Sequence, residues 1–130
     1  MKSWFLLIGT VAVIGFLATV SIDGRFGETP RPLAARAQIN SFMLALDLYK
    51  QDTGLYPSTA EGLEALRVRP GSAQHWQGPY LAKDIPLDPW GHEYIYRFPG
   101  THSATPEIVS YGSDGRSGGE GLNADIESWK

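Results

Sequence analysis

The chain contains no cysteine. That absence excludes a disulfide framework, a thiolate metal site and a cysteine nucleophile together. Surplus positive charge is missing too. With 11 Lys and Arg against 14 Asp and Glu the formal charge is −3, so the dense basic footprint that nucleic-acid binding requires is not there. Histidine is scarce: His75, His92 and His102 are the three present, and no two stand at the spacing with which a helix grips zinc. They are expected to be surface or hydrogen-bonding residues. Gly112-Ser113-Asp114-Gly115 is not a nucleophile elbow. Paired acids such as Asp84 and Asp88 sit in turn contexts, where capping backbone groups is their expected role. No convergent polar site emerges, and an enzymatic activity is not expected.

What is present is unevenly spread. The 130 residues hold one small domain, and Trp4 to Val20 forms an uncharged run of 17. At about 1.5 Å per residue that run reaches roughly 26 Å, just enough to cross the hydrocarbon core of a bilayer. A cleaved secretory signal is the other reading, but the run is long for a signal core and Ala18-Thr19-Val20-Ser21 is a poor cleavage site. A retained membrane helix over residues 1–22 is therefore expected. Lys2 on one side and Arg25, Arg31 and Arg36 on the other leave its orientation unset by charge.

Gly24, Gly27, Pro30 and Pro32 mark residues 23–32 as a neck, and residues 33–130 as the head. From Leu33 to Gln51 the apolar residues Ile39, Phe42, Leu46 and Tyr49 recur every three or four positions, with Met43 alongside, which predicts a helix with one buried face. Gly54 ends it. Ser58 with Glu61 three positions on reads as a capping box, predicting a second, short helix that breaks at Pro70. Glu93 to Phe98 and Glu107 to Tyr111, rich in Tyr, Ile and Val, are expected as strands of a small antiparallel sheet. The last twenty residues are expected to be mostly loop. Asp88-Pro89-Trp90-Gly91 reads as a tight turn in which the Asp accepts backbone hydrogen bonds and the Trp lies over the core.

The most unusual stretch runs from Gly112 to Asp125, with five glycines in the ten positions from 112 to 121. Fixing so many glycines is costly in backbone entropy. Two states answer this composition: a solvated, disordered loop, or a loop ordered by a bound cation. Asp114, Glu120, Asn123 and Asp125 offer hard oxygens, and glycine lets carbonyls turn inward, which together suit calcium. Arg116 stands where an EF-hand would need a ligand, so that motif does not apply. Gly119-x-Gly121-x-x-Ala124 matches a dinucleotide fingerprint only on paper, because no strand–helix–strand unit accompanies it.

Taken in order, Ala45-Leu46-Asp47-Leu48-Tyr49-Lys50, Tyr56-Pro57-Ser58-Thr59-Ala60-Glu61-Gly62-Leu63, Gly78-Pro79-Tyr80-Leu81, Asp88-Pro89-Trp90-Gly91, Ser110-Tyr111-Gly112-Ser113-Asp114-Gly115 and Asn123-Ala124-Asp125-Ile126 resemble the G-type major pseudopilins of bacterial type II secretion. The likeness runs from about residue 36 to the carboxyl terminus. It implies an α+β, pilin-like fold: a long amino-terminal helix packed on a small antiparallel β-sheet, with a calcium ion in the carboxyl-terminal loop. Asp114 and Asp125 match the family's carboxylate ligands, carbonyls near Tyr111 and Arg116 would complete the shell, and Asn123 is a further oxygen donor. Some members have adjacent acids where this chain has Ala124-Asp125. The resemblance also implies a homo-oligomer in a helical periplasmic fibre, contacts with other pseudopilins and inner-membrane secretion components, and a single-pass anchor in the bacterial inner membrane.

The amino terminus departs from that pattern. Pilin-like precursors are cut after a Gly that precedes an apolar helix with Glu at its fifth position. Here Gly15-Phe16 is followed by Val20 where the acid belongs, so cleavage by the prepilin peptidase is not expected. The missing acid also admits a second arrangement, a membrane-anchored monomeric, calcium-dependent periplasmic adaptor.

Overall fold

The computed structural model describes residues 30–130. The expected membrane helix over residues 1–22 and the neck up to residue 29 lie outside the described residues.

Helix α1 spans Arg31–Thr53. It starts at Arg31 rather than at Leu33 because Pro30 caps it and Pro32 falls in its first turn, where a missing N–H removes no helical bond. The expected apolar face is the one buried: Ile39, Phe42, Leu46 and Tyr49, joined by Ala35 and Ala45. Leu33, Leu44 and Leu48 lie exposed on the helix. The Gly54 N–H closes the end on the Lys50 carbonyl at 2.7 Å, two residues beyond the expected last residue, Gln51.

The second helix is shorter than its capping signal suggests. Ser58 Oγ does accept the Glu61 N–H at 3.1 Å, but Gly62 takes φ 64°, ψ −167°, a conformation outside the α region. Only a 3-10 turn over Leu63–Leu66 follows, with Leu63, Ala65 and Leu66 buried against the helix. The Trp76 indole N–H donates to the Ala65 carbonyl at 2.8 Å, and the Tyr80 hydroxyl donates to Asp52 Oδ2 at 2.7 Å. These bonds let aromatic bodies extend a core that has few aliphatic residues to spare.

Three short antiparallel strands face the helix: β1 (Ile95–Arg97), β2 (Glu107–Ser110) and β3 (Ile126–Glu127), ordered β1-β2-β3. All four residues of the central strand are buried. Tyr96 stands opposite Ile108, and Ser110 opposite Ile126. Phe42 of α1 meets Tyr94 edge to face, with ring centroids 5.1 Å apart. The third strand is the element that the loop reading of the last twenty residues omits. Two residues carry no readable period, but Arg36 Nη1 donates to the Glu127 carbonyl at 2.6 Å. Ser128 adds a second tie, its N–H bonding the Ile108 carbonyl at 2.9 Å.

Candidate functional site

The loop between β2 and β3 folds back on itself, one arm against the other. All five of its glycines from 112 to 121 take positive φ, between 60° and 91°, where side chains with a Cβ are disfavoured. The Ser113 N–H donates to the Leu122 carbonyl at 2.8 Å, and the Asn123 N–H to the Glu120 carbonyl at 3.0 Å. The two arms touch main chain to main chain. A Cβ on Gly112 would lie 2.8 Å from the Leu122 and Ala124 carbonyl oxygens, and one on Gly119 would lie 2.6 Å from that of Asn123.

Asp125 ties the tip of the loop to its exit. Oδ2 accepts the Gly118 N–H at 2.9 Å, while Oδ1 is buried with no hydrogen-bond partner among the described residues. A buried carboxylate oxygen without a donor is unfavourable unless a proton or a cation meets it. Asp114 lies exposed on the opposite arm, its Oδ1 accepting the Arg116 N–H at 3.1 Å. Asn123 closes the 3-10 turn Gly121–Asn123 and is exposed, as is Arg116, whereas Tyr111 is half-buried at the loop's entrance. Glu120 is exposed just before that turn. Among the described residues no three acidic or histidine side chains gather at one point. By chemistry alone, the carboxylates of Asp114 and Asp125 with neighbouring amide and carbonyl oxygens are of the kind a hard cation such as calcium takes.

The root of the loop is held by a residue that the sequence marks only as a turn former. Asp88 is 4% exposed, and its Oδ1 accepts the N–H groups of Trp90 at 3.0 Å and His92 at 2.9 Å. This is the expected turn geometry. Oδ2, however, accepts the Ser110 hydroxyl at 2.7 Å, and Ser110 Oγ in turn accepts the Gly112 N–H at 3.3 Å. The His92 ring packs under the loop, 2.9 Å from where a Cβ on Gly115 would stand, and its Nδ1 is buried with no hydrogen-bond partner among the described residues. Neither role has a local sequence signal, since the partners lie some twenty residues away. Trp90 packs against the core, as its turn predicts.

Residues 27–129 match the protein family described as "Type II secretion system (T2SS), protein G". The chain belongs to this family. The type II secretion system core protein G of Vibrio cholerae serotype O1 is 37% identical over 124 residues, covering 92% of this chain and 84% of its own length. That of Pseudomonas aeruginosa is also 37% identical over 124 residues, covering 92% and 87%. Among solved structures, the major pseudopilin from the type 2 secretion system of enterohaemorrhagic Escherichia coli superposes with a TM-score of 0.65 at 30% identity. The match spans 76% of this chain and 86% of that one. The helix on a three-stranded sheet is therefore the pilin-like fold of the protein G family.

Two further histidines complete the inventory. His75 is exposed. His102 stacks on Trp129, with ring centroids 4.2 Å apart, and its Nδ1 lies 2.8 Å from Glu107 Oε1. Glu107 is 1% exposed. Burial alone would raise its carboxyl, but bonds from the His102 backbone N–H and ring, with Thr101, outweigh that and hold it down at about 2. The carboxylate thereby fastens the hairpin between β1 and β2, and through the stacked ring the carboxyl-terminal segment beside the loop.

Proposed function

We infer that this chain is a structural, non-enzymatic pseudopilin subunit of a type II secretion pseudopilus, the assembly that serves protein export across the outer membrane. The observation that carries this reading is the protein G match across residues 27–129, together with the shared fold of a major pseudopilin. Copies of the chain assemble into a helical fibre with other pseudopilins and engage inner-membrane secretion components. Among the described residues no helix is long and apolar enough to cross a membrane, and the anchoring role falls to the apolar run in residues 1–22. The head then stands in the periplasm.

In the carboxyl-terminal loop, Asp125 and Asp114 hold a calcium ion, with Asn123 and carbonyl oxygens near Tyr111 and Arg116 as further donors. The buried Asp125 Oδ1, which has no hydrogen-bond partner among the described residues, supports this assignment. When bound, the ion offsets the net negative charge of the glycine-rich loop, where Asp114, Glu120 and Asp125 outnumber Arg116, and fixes the surface beside β3.

Because the chain has no cysteine, assembly can be tested with introduced pairs. Leu44→Cys and Leu87→Cys, both at exposed positions, are combined in one chain and bridged in cells with a bis-maleimide. A ladder extending to trimers and beyond is the expected result. Monomer alone would contradict the fibre and favour the monomeric adaptor.

A further inference from the structure

Ile108 turns both of its backbone groups toward β3: its carbonyl accepts the Ser128 N–H at 2.9 Å and its N–H donates to Ser128 Oγ at 3.0 Å. Tyr96 is its partner across the β1–β2 pair. An antiparallel pair facing away in this manner exchanges no hydrogen bonds between its two residues, so the Tyr96 N–H and carbonyl point to the outer edge of the sheet. Phe98, two residues on, points the same way and is capped. Its N–H donates to Thr59 Oγ1 and its carbonyl accepts from that hydroxyl, both at 3.0 Å. Among the described residues nothing caps the backbone of Tyr96 in this way.

An uncapped edge strand is a template for another strand. Here the edge opens onto a groove of about 390 Å³, which Tyr96 lines together with the apolar Ile85 and Leu87. Glu61, Glu64 and Glu93 also line it, and no Lys or Arg does. We propose that this groove receives an extended, cationic segment of a partner protein as a fourth strand on β1. The added backbone bonds the Tyr96 N–H and carbonyl, its alternate apolar side chains rest on Ile85 and Leu87, and its Lys or Arg side chains face Glu64 and Glu93. Main-chain pairing supplies affinity and the charges supply selectivity. The site is separate from the carboxyl-terminal loop and goes beyond the role of fibre subunit.

The test uses the full chain and a capped hexapeptide, Lys-Val-Lys-Val-Lys-Val, with amide hydrogen exchange read at Tyr96. Saturating peptide should slow exchange there by roughly tenfold or more, since the amide passes from an open edge to a ladder. Glu64→Lys with Glu93→Lys, both at exposed positions, should weaken binding by about tenfold or more, and a Glu-Val-Glu-Val-Glu-Val peptide should not bind. Unchanged exchange at Tyr96, or equal affinity for the two peptides, would overturn the proposal. So would protection in the chain alone that deepens with protein concentration, because it would assign the edge to a second copy.

Discussion

Asp88 and Ser110, 22 positions apart in the chain, are joined by a hydrogen bond of 2.7 Å between two buried side chains. The bond links the turn ahead of β1 to the last residue of β2, at the root of the glycine-rich loop. Its removal from the serine side leaves Asp88 Oδ2 buried without that donor. Ser110→Ala should therefore destabilise the head by about 1–3 kcal/mol, measured by urea denaturation. Limited proteolysis should also cut faster between residues 112 and 121. A variant as stable and as resistant as the parent would remove Asp88 from the loop's support.

Gly118 and Gly119 are adjacent and have nearly equal φ values of 88° and 91°, yet their surroundings differ. Nothing lies within 4 Å of a Cβ on Gly118, whereas one on Gly119 would meet the Asn123 carbonyl oxygen at 2.6 Å. Gly118→Ala should cost only the left-handed backbone, about 1–2 kcal/mol. Gly119→Ala should cost more, because main chain must also shift. Parallel thermal melts of the two variants check the order, and equal losses would mean that the loop arms do not approach each other as described.

Glu107 makes stability depend on acid. Its carboxyl is held at about 2, below the ordinary 4.5. A group depressed in the folded state contributes fully above its unfolded value, and the contribution is lost as pH falls toward the folded one. The chain should thus lose stability as pH drops from about 4.5 to about 2. Glu107→Gln should be less stable at neutral pH and should flatten that part of the profile. Urea midpoints at a series of pH values read both effects.

The main helix is legible in the sequence because Ile39, Phe42, Leu46 and Tyr49 repeat at the helical period and Gly54 stops them. The two longer strands announce themselves through Tyr, Ile and Val between Gly and Pro. The second helix misleads for a local reason: the Ser58–Glu61 capping bond forms, and Gly62 one residue later leaves the α region. The third strand, Ile126–Glu127, is too short for any period and exists because Arg36 and Ile108 offer it partners. At the candidate site, acids and glycines pick out Asp114 and Asp125, and the structure gives them unequal settings, exposed and half-buried. The supports beneath them, Asp88, Ser110 and the His92 ring, depend on contacts between distant segments, which composition does not encode.

The most direct measurement is the thermal melting of the full chain in calcium and in chelator, repeated with Asp125→Ala. A ligand present at about a hundred times its Kd stabilises the folded state by about 2.7 kcal/mol, which for a domain of this size raises Tm by roughly 10 °C. A rise of that order is expected in the parent chain and none in Asp125→Ala. Superimposable melting curves for the parent chain in calcium and in chelator would contradict it.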